Sequence, residues 1–106
     1  MKIYDLVTNI FVRACPATYH DVAEKETDEY LVWTVEGKRT FRADGMQDEV
    51  AGQITVDIFT KKEFSEVPER LEMLMDASDE VAYTDPAVGY DIKTGYTHYV
   101  YTVEVV

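Results

Sequence analysis

Cys15 is the only cysteine in the 106 residues, so the chain can close no disulfide on itself and build no cysteine-based zinc site. Basic residues are scarce as well. Ten Lys and Arg stand against twenty-one Asp and Glu, a formal charge of −11. A surface this acidic repels phosphate backbones and anionic lipid, which argues against direct nucleic-acid binding and against docking on a membrane. No apolar run approaches the length of a membrane span. The first residues show no basic segment followed by a long apolar stretch, so the expectation is no signal peptide and a cytosolic protein. The five glycines and three prolines form no phosphate-cradling Gly-rich loop and no low-complexity tract.

What remains is the composition of a folded domain. Hydrophobic residues make up 46% and charged residues 29%, which argues against disorder. One domain over 1–106 is expected, and a chain of this length buries roughly 65% of its unfolded surface without needing staples.

Periodicity divides the chain into helix, strands, helix, strands. Ile3, Leu6, Val7, Ile10, Phe11 and Ala14 form one helical stripe, and Pro16 sets its end. Thr18 to Ala23 reads as a short strand and Tyr30 to Val35 as a stronger one, being β-branched and aromatic. Glu36-Gly37-Lys38 looks like a hairpin turn into Arg39 to Ala43, and Asp44 to Asp48 like a polar connection. Val50 to Thr60 follows as a long strand, with Gly52 a candidate bulge. A second helix is predicted after Ser65 as N-cap, with Pro68 in its first turn and Val67, Leu71, Leu74 and Met75 as its buried stripe. Val81 to Ile92, broken at Asp85-Pro86, and Tyr96 to Val106 are the last strands, turning at Lys93-Thr94-Gly95. The expected fold is α+β: an antiparallel β-sheet of about four to five strands with two α-helices packed on one face.

Signals for chemistry are weak. His20 and His98 each lie in a strand, where a lone histidine is more often structural than a general base. Cys15 could act as a nucleophile only if His20 activated it, and a cysteine before proline at a helix end is more often packing. Asp44, Asp48 and Glu49 cluster in a loop but miss the spacing of a calcium loop. No GxSxG elbow and no HExxH helix occur. The reading is therefore a non-enzyme with no catalytic, cofactor or metal residues. A small hydrolase or lyase using His98 with Asp57 or Tyr99 is the weakest alternative.

Asp57 sits in the alternating segment GQITVDIFT (52–60), opposite in facing to Ile54, Val56 and Ile58. It can be the wet side of a half-buried sheet, part of a subunit contact, or a general acid, in that order of weight. The last strand places Tyr99 and Tyr101 with Val103 and Val105 on one face, and Tyr96 and His98 with Val100 on the other. Both faces carry apolar or aromatic groups, which favours contact with another protein over simple strand preference. The interface candidates are Asp57, Phe59, Tyr96, Tyr99 and Tyr101.

YLVWT at 30–34, FRADGMQDEV at 41–50, GQITVDIFTKKEF at 52–64, VPERLEMLM at 67–75 and GYTHYVYTVEV at 95–105 occur in that order. In this the chain resembles the small prophage-encoded tail-terminator, tail-completion or minor capsid (head–tail joining) proteins of tailed phages, over about Tyr19 to Val106. The resemblance implies a homo-oligomer, a ring commonly of six copies, capping the tail tube and offering a face to the head connector. It implies no cofactor and no catalytic motif, assembly in the cytoplasm of the bacterial host, and a place at the virion tail or head–tail junction. The alternative from the residues alone is a small acidic module that binds a basic partner.

Overall fold

The computed structural model describes residues 2–43 and 46–105, with side chains described over 4–36 and 52–105. Two helices and six strands run in the order α1 (Lys2–Ala14), β1 (Thr18–His20), β2 (Glu29–Ala43), β3 (Met46–Thr60), α2 (Val67–Asp76), β4 (Val81–Tyr83), β5 (Ala87–Tyr90) and β6 (Thr97–Val105). The sheet order is β1-β2-β3-β6-β4, and β5 lies beside β4 along the same outer edge of β6. The fold is α+β, with six strands in a mixed sheet where four to five antiparallel ones were expected. β1 runs parallel to β2, because Asp21 to Asp28 carries the chain back before β2 starts.

α1 forms where apolar residues recur at helical spacing, burying Val7, Ile10, Phe11 and Ala14. Its end is held by more than Pro16. The Thr18 hydroxyl donates to the carbonyl of Cys15 and shares that of Phe11 with the Cys15 N–H, closing the end of the helix. β1 stops at His20 because Asp21 enters the left-handed region at φ 68°, which aspartate tolerates better than most residues. In α2 the Ser65 hydroxyl accepts from the Val67 N–H at 3.1 Å, one residue upstream of the cap position at Glu66. Val67, Pro68, Leu71 and Met75 form the buried stripe, and Leu74 packs half-buried beside it. Arg70 Nε donates to the Ala14 carbonyl at 2.9 Å and ties the two helices together.

Both helices cover one side of the sheet. There Leu31 and Trp33 of β2, Ile54, Val56 and Ile58 of β3, and Tyr101, Val103 and Val105 of β6 join the helical stripes in one core. Burying Leu71 alone is worth about 2 kcal/mol.

The expected turn at Glu36-Gly37-Lys38 is absent. β2 continues to Ala43, and Glu36 is an extra residue in a bulge between Val35 and Gly37. Nor is Gly52 bulged: it lies in register between Lys38 and Val105. The predicted Asp44 to Asp48 connection falls partly outside the described residues, and strand pairing resumes at Met46. The break at Asp85-Pro86 stands, dividing β4 from β5 on the sheet edge, where a missing N–H costs no ladder bond. The turn at Lys93 to Gly95 also stands, with Gly95 at φ 80°, Gly95 N–H donating to the Asp91 carbonyl at 2.8 Å and Lys93 N–H donating to Asp91 Oδ1 at 2.9 Å.

Where β2 begins, β3 ends and α2 enters, Glu29 gathers three partners. Thr60 Oγ1 donates to Oε2 at 2.9 Å, Ser65 donates to the same oxygen, and Lys62 Nζ lies 3.2 Å from Oε1. Burial opposes the charged carboxylate, but the bonds from Ser65, Thr60 and Lys62 outweigh it and hold its pKa below the ordinary glutamate value. A depressed carboxylate pKa contributes stability above the unfolded pKa, and that stability is lost as pH falls through the folded one. Urea midpoints of the native chain should therefore drop on acidification through the lower carboxylate range, and Glu29→Gln should flatten that dependence. Leu71→Ala should lower the unfolding free energy by about 2–5 kcal/mol in the same measurement.

Candidate interface on the open sheet face

The side of the sheet opposite the helices takes its character from register. Tyr30 pairs with Phe59, and Phe59 with His98, so three rings line up across β2, β3 and β6. Tyr30 and Phe59 stack with centroids 4.9 Å apart, and Phe59 and His98 at 4.2 Å. Tyr96, just before β6, stands across this stack at 86° to Tyr30 and 81° to Phe59. Its hydroxyl donates to the Thr27 carbonyl at 2.6 Å, which fixes the ring. Such ring pairs contribute about 0.5–1.5 kcal/mol beyond their buried area.

Asp57 lies one rung along on the same face, and its Oδ1 is 2.7 Å from His98 Nε2. The contact is diagonal across β3 and β6, within reach because same-face neighbours on adjacent strands stand close. With Nε2 held by the carboxylate and one ring face held by Phe59, His98 has a fixed orientation. An aspartate on a histidine nitrogen can orient the ring, the supporting part of a base.

The five interface candidates do not form one patch. Asp57, Phe59 and Tyr96 gather on the open face. Tyr99 lies half-buried on the helix-covered side, packed against the core and in register with Val88 of β5. Tyr101 is fully buried, and its hydroxyl donates to Glu72 Oε2 of α2 at 2.6 Å, so it reaches no surface. Alternation along β6 sends it under α2, where burial and then the Glu72 carboxylate push its phenol pKa up. The pairing of His98 with Asp57 is made, while Tyr99 points to the opposite side of the sheet.

Cys15 and His20 form no reactive couple in this arrangement. Cys15 is buried with its thiol toward the Ala17 carbonyl at 3.7 Å, and burial pushes its pKa up. His20 instead stacks on Trp33 at 4.0 Å and lies 3.5 Å from Asp21. The Asp44, Asp48 and Glu49 cluster lies outside the described side chains, and among the described residues no group of three metal-binding side chains is found.

Tyr30 was absent from the candidates, as were Glu26, Asp91 and Thr94 around it. Placing the hairpin turn at Glu36-Gly37-Lys38 pairs β2 with 39–43, which hides the Tyr30–Phe59 rung. Pairing Tyr30 to Val35 with the far end of the 52–60 strand would have exposed it.

A scan against models of protein families finds no match, and no curated protein sequence matches the chain.

The Asp57–His98 pair, with side chains 25% and 37% exposed, should be weakly coupled. A double-mutant cycle of Asp57→Ala and His98→Ala, read by urea denaturation, should return about 0.5–1 kcal/mol.

Proposed function

We propose that the chain is a structural virion-assembly protein of the tail-terminator or head–tail joining type, working as a ring of copies at the end of a tail tube. The observation that carries this reading is the length of the β2–β3 ribbon. Each strand has 15 residues, but β6 accompanies β3 only from Gly52 to Thr60, and β1 accompanies β2 only from Leu31 to Trp33. Beyond those rungs, among the described residues, the two strands pair with each other alone. An isolated two-stranded ribbon is marginal in water, and its outer edges carry unpaired N–H and C=O groups that invite another chain.

A closed ring needs two different patches per subunit. The open face with Asp57, Phe59 and Tyr96 is one. The other is the β5 edge, where Val88, Tyr90 and Ile92 are exposed and cluster within one short segment. The order and spacing of the segments resembling phage tail-completion proteins support the same reading. So does the charge. With −11 overall, a channel through such a ring repels passing DNA over a Debye length of about 8 Å. Asp57 then serves in the channel lining or the subunit contact, and the tube and connector proteins are the further partners.

Native mass spectrometry over a concentration series, with and without tail tubes, tests the role. Closed species of defined copy number, on their own or on tube ends, are expected. Replacing 40–50 by Asn-Gly, which joins the paired positions Arg39 and Ala51, should leave a folded monomer that no longer closes. A chain that stays monomeric at high concentration and ignores tube ends would sink the reading.

A further inference from the structure

At the end of the open face where β6 begins, a hollow of about 250 Å³ opens among Tyr30, Phe59, Tyr96 and His98, with Glu26, Asp91 and Thr94 around it. We infer that this hollow receives the side chain of an arginine carried by a partner protein. Three observations converge on that chemistry.

The walls are rings held in place by other contacts: Phe59 between Tyr30 and His98, and Tyr96 by its bond to Thr27. Rigid aromatic walls suit a group with an apolar stem and a planar head. The rim is negative and uncompensated. Glu26 has no ion pair or hydrogen bond among the described residues, and the Asp91 carboxylate accepts only the Lys93 N–H of its own turn, at 2.9 Å. An anion would be repelled there, and a neutral apolar group would strip water from the two carboxylates without replacing it. Finally, the chain already rests a cation on one of these rings. Lys61 Nζ lies 4.9 Å from the Tyr96 centroid, its own charge partly met by Asp28 at 3.9 Å. Lys61 is not among the residues lining the hollow, so the space is left to another group.

Arginine fits better than lysine. Its guanidinium stacks on aromatic and imidazole rings, and its five N–H donors can serve carboxylates on two sides together with the Thr94 hydroxyl. The site is complete within one subunit, but Phe59 and Tyr96 also belong to the face proposed for the subunit contact, so a partner's arginine enters where that face is uncovered.

The test is an NMR titration of the whole chain with Nα-acetyl-argininamide, using the neutral isostere Nα-acetyl-citrullinamide as control. Saturable shifts confined to Tyr30, Phe59, Tyr96, His98 and the Thr94-Gly95 turn are expected, with the isostere at least about tenfold weaker. The double variant Glu26→Gln, Asp91→Asn changes two exposed side chains and keeps an acceptor for the Lys93 N–H. It should melt at the native temperature and lose about tenfold in argininamide affinity. Equal binding of the isostere, shifts scattered over the acidic surface without saturation, or undiminished affinity of the variant would each overturn the assignment. Lysinamide binding as tightly would overturn the choice of arginine. The titration is run at a concentration where the chain is monomeric, so failure here does not count against the assembly role, nor the reverse.

Discussion

β3 is hydrogen-bonded on both sides over Gly52 to Thr60, by β2 and by β6, and the rest of the molecule hangs on the facing of its side chains. Ile54, Val56 and Ile58 go under the helices, while Asp57 and Phe59 go to the opposite side. Because the period is two, slipping either pairing by one residue would turn Asp57 into the core and Ile58 into water. The cost of burying that carboxylate, added to the loss of three buried apolar side chains, makes any other register untenable. Through those rungs the same constraint aligns Tyr30, Phe59 and His98, and it sends Tyr101 beneath α2.

Among the described residues, the polar side chains that enter the interior are all answered. Thr60, wholly buried, donates to Glu29 and accepts the Lys62 N–H at 3.1 Å. Tyr101 and Tyr83 donate to carboxylates of α2, Glu72 and Asp76, and the Asp76 bond, with burial and nearby negative charge, pushes the Tyr83 phenol up to about 12. The two tyrosine bonds join α2 to β4 and β6, the strands that follow it. They leave the helix side of the molecule chemically closed, with no buried side-chain donor or acceptor wanting a partner among the described residues. Chemistry that faces outward is concentrated on the other side of the sheet. There a stacked row of rings, a fixed aspartate–histidine pair and unmatched carboxylates share one surface. A surface built of rigid rings and negative charge is suited to holding another protein, and an assembly role and an arginine-binding hollow draw on the same properties in different ways.

Much of the architecture was legible residue by residue. α1 and its stop at Pro16, α2 with Val67, Leu71 and Met75 inward, the break at Pro86 and the turn at Gly95 follow from local rules of spacing, backbone restriction and capping. Two errors share a cause. Gly37 was read as a turn and β1 was expected to join an antiparallel sheet, because glycine and short connections ordinarily signal a reversal. A bulge and a parallel strand are made by partners distant in the chain, and no window of sequence contains both.

The sequence by itself determined which residues can alternate, which stripes must be buried, and that the surface is strongly acidic, since these depend on side-chain chemistry and periods of two or 3.6. Only the tertiary structure decided that Asp57 meets His98, that Tyr30 completes the row of rings, and that Tyr99 and Tyr101 belong to the side away from Phe59. Those facts rest on strand register, and register is set by the sum of contacts across the whole sheet, not by any one segment.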